Sequence, residues 1–212
     1  MRAWLSSFAD ELEKIAETEK VEAAKQRAVA NVQRLKKSLK PGDILFTAPI
    51  REKMQSTFGK YFYKPISKAV QGTDFGHAAM YVGDGQVVEA RMGETTKAVS
   101  LASVAKKQQI VAMRPNVTPK ERREAIAYVE SQKGKPFSMT ALANTLNPFR
   151  GKRKGRKPEE ADALICSALV ANAYARRKFS DAPRVVTTPA EVMRSPHLVP
   201  VAALVTDKTL EG

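Results

Sequence analysis

The stretch from Phe75 to Arg91, FGHAAMYVGDGQVVEAR, constrains the fold more than any other. Two runs rich in apolar and β-branched residues flank Gly83-Asp84-Gly85, a turn sequence whose glycines supply the left-handed backbone that a tight hairpin needs. Taken as a three-residue loop with Gly85 left-handed, the hairpin pairs Val82 with Gln86, and cross-strand partners sum to 168 in residue number. Ala79 then faces Glu89. Because side chains alternate along a strand, His77, Ala79, Tyr81, Val87, Glu89 and Arg91 share one face, with Glu89 the diagonal neighbour of His77, about 7 Å away between backbone positions. A glutamate bridges that gap and accepts a hydrogen bond from the imidazole. This is the base-and-carboxylate half of a catalytic triad, and it is equally the pattern of a surface ion pair.

Around the hairpin the chain reads as a mixed α+β domain. ILFT after the Pro41-Gly42 turn, QQIVAMRP and LVPVAALV have strand character. TPKERREAIAYVESQKG predicts a helix with Thr118 as N-cap, Pro119 at its first position, Glu121 closing a capping box and Gly134 as its stop. TTPAEVMRS repeats that start at Thr188, Pro189 and Glu191. Residues 51–72 read as helix and loop. Residues 3–37 read as an amphipathic helix, with Trp4, Leu5, Phe8, Leu12 and Ile15 at helical spacing, acidic residues early and Arg34, Lys36 and Lys37 late. This predicts an N-terminal helical extension over 1–37, which docks on its own domain, a partner or a membrane surface, and a main domain over 38–206.

Cys166 is the chain's single cysteine and opens the apolar helix of LICSALVANAY. One cysteine excludes an intramolecular disulfide, and two histidines beside it are too few for an ordinary structural zinc site, so no metal and no cofactor are expected. A thiol at a helix N-terminus feels the positive end of the dipole, and a nearby imidazolium lowers its pKa further, which makes it a nucleophile at neutral pH. The backbone N–H groups of the same turn are then positioned for an oxyanion. Left in apolar surroundings, the same thiol is a small core residue.

LKPGDILFT, GHAAMYVGDGQVVEA, ICSALVANAY and TTPAEVMRS, in that order, resemble the circularly permuted branch of the NlpC-type papain-like cysteine hydrolases, related to the lecithin:retinol acyltransferase group. The resemblance runs from about Leu39 to Val205. It implies an antiparallel sheet or barrel packed against helices, with Cys166 as nucleophile, His77 as general base and Glu89 as the orienting third member. It also implies a peptidase or amidase type of activity through a thioester, on a cell-wall peptide or a lipid-linked, acylated substrate. Acyltransferase relatives carry a second histidine where Glu89 stands, a departure that favours the bacterial hydrolase-like members, with lipid-dependent acyl transfer as the alternative. The Pro41-Gly42-Asp43 segment is expected to shape a turn and carry no chemistry, and His197 to be a surface or structural residue.

A net charge of +14 points to anionic partners: a cell-wall polymer, a lipid surface, or nucleic acid if the chain is a non-enzymatic or virion-associated binding module. Arg150, Lys152, Arg153, Lys154, Arg156 and Lys157 crowd eight positions just before the cysteine helix, as an anion-binding flap or a solvated loop. Lys152, Arg153 and Lys154 are the candidate substrate contacts, joined by Tyr81 on the histidine face, which reads first as a core residue and second as a substrate contact. Asp10, Glu11 and Glu13 interrupt any N-terminal signal, and no apolar run is long enough to span a membrane, so the expectation is a soluble protein, cytoplasmic or phage-particle-associated.

Overall fold

The computed structural model describes residues 22, 26, 29–49, 75–146, 164–174, 179 and 187–204. Its centre is a six-stranded antiparallel sheet: β1 (Ile44–Pro49), β2 (His77–Gly83), β3 (Gln86–Glu89), β4 (Lys97–Ser100), β5 (Gln108–Pro115) and β6 (Leu198–Leu204). The spatial order is β4-β3-β2-β1-β5-β6, so among the described residues the sheet is open, with β4 and β6 at its edges. The helices are α1 (29–38), α2 (Leu101–Lys107), α3 (Pro119–Ser131), α4 (Met139–Leu146), α5 (Cys166–Ala173) and α6 (Pro189–Met193). This is the α+β class the sequence implied.

Alternate residues of the central strands serve two cores. Ile44, Phe46, Ala78, Met80 and Val88 pack with Ala125 and Val129 of α3, Leu169 and Val170 of α5 and Val192 of α6. Leu45, Ala79, Tyr81, Val87, Ile110 and Ala112 pack on the other face with Leu101 and Val104 of α2 and with Leu35 and Leu39. Burial on both faces explains why β1 and β2 read as continuous apolar runs rather than as alternating ones. Leu35 is 3% exposed, so the end of the N-terminal helix belongs to the domain's own core. Residues 1–21, the 51–72 stretch and the basic run from Arg150 to Lys157 lie outside the described residues.

The hairpin reaches its expected register by a different turn. Only Asp84 and Gly85 form the loop, at φ 50° and 73°, and Gly83 pairs with Gln86. A register shift between Tyr81 and Gly83 absorbs one residue, so Tyr81 still pairs with Val87 and Met80 with Val88. Both capping boxes are present, at Thr118 with Glu121 and at Thr188 with Glu191, each with proline opening the helix. β4, α2 and α4 were not anticipated: four- to eight-residue elements offer too little periodicity to be read from sequence.

The Pro41-Gly42 turn leads into β1, and Asp43 behind it is fully buried. Its Oδ2 accepts from Lys40 N at 2.8 Å and Arg114 Nη2 at 2.7 Å, and its Oδ1 from Arg114 Nε at 2.9 Å and Arg122 Nη1 at 3.4 Å. Gly42 has φ +91°, and a Cβ there would stand 2.8 Å from Arg122 Cγ and from Tyr174 Oη. Gly42→Ala should therefore cost about 2–5 kcal/mol in urea unfolding, a left-handed penalty of about 1–2 plus overpacking of about 1–3. Gly93→Ala, at φ +79° with open space around it, should show only the first of these. Equal losses in the two variants would mean that the Arg122 and Tyr174 contacts at Gly42 carry no weight.

Candidate active site

β2 begins at His77, opposite Thr47 at the far end of β1, so the imidazole sits at one end of the sheet. Glu89 ends β3. In the register above the two are diagonal neighbours, and His77 Nε2 lies 3.0 Å from Glu89 Oε2, with the N–H donating to the carboxylate. Glu89 is 2% exposed, and its other oxygen, Oε1, accepts from Arg91 Nε at 2.6 Å. Both oxygens of a buried carboxylate are thus satisfied, as burial of charge demands.

Cys166 is the first residue of α5 and is 9% exposed. The chain is guided into this helix by an isolated bridge between Phe137 and Leu164. Leu164 N donates to Pro136 O at 3.1 Å, and Ser138 N donates to Leu164 O at 3.0 Å. The N-cap, Ile165, offers no side-chain cap, so the first-turn N–H groups have no side-chain partner from that residue. The thiol hydrogen-bonds the His77 ring and also receives the backbone N–H groups of Ala78 and Ser167. With Nε2 given to Glu89, Nδ1 is the ring nitrogen left for the sulfur. Ser167, the next residue, is held by its own hydroxyl donating to the carbonyl of Thr187, just before α6.

These contacts oppose burial at each position. Burial pushes the Cys166 thiol up, but the charge and hydrogen bond of His77, aided by the two backbone N–H groups, bring it below its ordinary value. Burial pulls His77 down, yet the Cys166 thiolate and then Glu89 raise it to about 9. Burial also pushes Glu89 up, and His77 followed by Arg91 brings it to about 2. The arrangement favours a thiolate–imidazolium pair backed by a carboxylate, which is a primed nucleophile with its proton stored on the neighbouring ring.

Cys166, His77 and Glu89 are therefore brought together as expected. Tyr81 is not part of the group: it is 4% exposed in the second core, and its hydroxyl accepts from Gly85 N at 3.2 Å. Its shared strand face with His77 holds, but four residues of strand carry it toward the hairpin turn and away from the site. Lys152, Arg153 and Lys154 lie outside the described residues. His197 serves the backbone, its carbonyl accepting from Asn116 N at 2.9 Å. Arg91 was legible as a residue of the histidine face, although no role attached to it there. Gln108 carried no local signal at all, because only the β1–β5 register brings it near.

No family model matches the chain, and no curated protein matches it. Among solved structures, the chain is similar to the crystal structure described as metalloprotein yiiX from Escherichia coli O157:H7, a DUF1105 protein. The TM-score is 0.54 at 15% identity, over 78% of this chain and 97% of that one. At this identity the likeness concerns the fold alone.

Iodoacetamide should modify Cys166 along an acid limb lying below the pKa of about 8.5 of a free thiol, because thiolate persists wherever the imidazolium faces it. His77→Ala should move the limb upward to about 8.5 or beyond, since burial stays while the imidazolium is lost. Intact mass across the pH range reads the rates, and identical profiles for the two proteins would return Cys166 to a passive core role.

Proposed function

We propose that this chain is a cysteine hydrolase of the permuted papain-like, NlpC-related type, cleaving an amide or ester through a thioester acyl-enzyme. The observation that carries the reading is the hydrogen-bonded series Cys166, His77, Glu89, with the thiol on a helix N-terminus and the 3.0 Å bond between His77 Nε2 and Glu89 Oε2. The order in the chain, histidine and carboxylate before cysteine, supports the permuted form.

In the proposed reaction the Cys166 thiolate attacks the substrate carbonyl, forming a carbon–sulfur bond while the carbonyl π pair moves to oxygen. First-turn N–H groups of α5 stabilise that oxyanion. Collapse expels the amine or alcohol, which takes the proton held on the His77 imidazolium and leaves a thioester. The neutral imidazole then accepts a proton from water, hydroxide adds to the thioester, and the acid departs as thiolate and imidazolium are restored. Glu89 keeps its charge throughout, holding the ring and stabilising its protonated form.

The similar solved structure is described as a metalloprotein, and His77, Cys166 and Glu89 are residue types that can ligate a metal. They do not fit a metal ion. Glu89 occupies Nε2 of the imidazole, which leaves Nδ1 for Cys166, and the carboxylate's second oxygen is taken by Arg91, so the donors are already engaged with one another and with Arg91. Among the described residues there is no group of three or more His, Cys, Asp or Glu that could hold one. The net charge of +14 supports an anionic substrate, a wall polymer or an acylated lipid. Among the described residues no helix is long and apolar enough to cross a membrane.

A p-nitrophenyl acyl ester tests the reading. The expected result is a burst of one nitrophenol per protein, an acyl adduct on Cys166 in the intact mass, and continued turnover as water releases the acid. Cys166→Ala should abolish the burst, and His77→Ala should slow acylation by about 10²-fold or more. A burst that survives in Cys166→Ala, or an adduct that water never releases, would count against a hydrolase.

A further inference from the structure

The carboxylate of Glu89 is held by more than His77. Arg91, about one-third exposed, donates its Nε to Oε1 at 2.6 Å. Its other two guanidinium nitrogens turn to Gln108 of β5. The Gln108 amide is satisfied in one orientation, with its oxygen accepting from Arg91 Nη2 at 2.7 Å and Nη1 at 3.2 Å and its nitrogen donating to Thr47 Oγ1 at 2.5 Å. Thr47 is 1% exposed and is the β1 register partner of His77. A closed path therefore runs from the His77 ring through Glu89, Arg91 and Gln108 to Thr47, beside the backbone of His77 itself.

We propose that Arg91, braced by Gln108, is a positioning residue of this site: it holds Glu89 ionised and turned toward His77. The inference rests on the reading of Cys166, His77 and Glu89 as a catalytic relay. Without Arg91, Oε1 would be a buried acceptor facing no donor, and the carboxylate could take up a proton or rotate away from the imidazole. Gln108 keeps the guanidinium from leaving for solvent. It is neutral, so it braces without competing for charge.

The other charged groups near Glu89 do not replace Arg91. Lys97 of β4 is the register partner of Glu89, but its ammonium pairs with Glu94 Oε2 at 2.7 Å and is about half exposed. From β2 the facing group is His77, and Cys166 of α5 interacts with that ring rather than with the carboxylate. Among the described residues Arg91 is thus the cation bonded to Glu89 that is not itself part of the thiol–imidazole pair.

The test follows the pH profile of Cys166 alkylation by iodoacetamide in the full chain, which needs no substrate. Arg91→Met should move the acid limb toward alkaline pH by about one unit, read as about tenfold slower alkylation on the acid side, with equal rates on the alkaline plateau. Arg91→Lys should recover part of the shift, and Gln108→Ala should reproduce it in smaller measure. Rates lowered equally at every pH, or an unmoved limb in folded Arg91→Met, would overturn the role given to Arg91. Should Arg91→Met fail to fold, Gln108→Ala decides: a shifted limb supports the brace, and an unshifted one overturns it. His77→Ala separates the two levels of inference. If it leaves the profile unchanged, the relay itself fails and the role of Arg91 with it; if it moves the limb while Arg91→Met does not, only the positioning role falls.

Discussion

One buried carboxylate, Glu89, sets the terms for the rest of the site. An ionised group at 2% exposure costs several kcal/mol in lost hydration unless each lone pair meets a donor, and among the described residues His77 and Arg91 are bonded to it. His77 must arrive from the neighbouring strand, while Arg91 follows Glu89 just past the end of β3. The β2–β3 register brings His77 diagonally across, and the same alternation that points Glu89 inward points Arg91 to the same side two residues later. A slip of one residue would reverse every side chain on β3 and leave a charge buried alone. The bulge beside Gly83 is what reconciles a two-residue turn with that register.

The opposite end of the sheet obeys the same rule with a different carboxylate. Asp43 is fully buried and neutralised by Arg114 and Arg122, which ties the turn before β1 to β5 and α3. Helix α5 spans the two ends. At its start Cys166 meets His77, and just past its end Tyr174 donates to Gly42 O at 2.5 Å. From Cys166 to Tyr174 a helix rises about 12 Å, close to the length of about 13 Å from His77 to Tyr81 in a strand. Tyr81 O in turn accepts from Gly42 N at 2.7 Å, so the helix is anchored to β2 and its neighbour at both limits. The thiol's position is therefore a consequence of a clamp roughly a helix length away.

Much of this was legible in the sequence wherever the determining signal is local. The capping boxes at Thr118 and Thr188, the strands of β1, β5 and β6 and the pairing of His77 with Glu89 all follow from spacings of a few residues. The hairpin loop was misjudged by one residue because Gly83-Asp84-Gly85 suits either turn, and only the bulge distinguishes them. For Tyr81, which lies in the core, the sequence left core packing and a substrate contact both open, because alternation gives a residue's face and says nothing of how far along the strand a site extends. Gln108 and Thr47 were invisible for a deeper reason: their meeting with Arg91 depends on β1–β5 pairing across some sixty residues of sequence, which no local pattern encodes. The buried ion pairs of Asp43 escaped notice for the same reason, although the turn they support was read correctly.

The central claim is that the resting site holds its proton on the imidazole and its negative charge on sulfur. The chain has two histidines, so a nitrogen-15 spectrum of the labelled protein needs only His77 told apart from His197. The account requires both ring nitrogens of His77 to be protonated at neutral pH, to titrate near pH 9, and to lose that elevation in Cys166→Ala. A His77 ring that is neutral at pH 7 and titrates at or below the ordinary value of about 6.5 would contradict it.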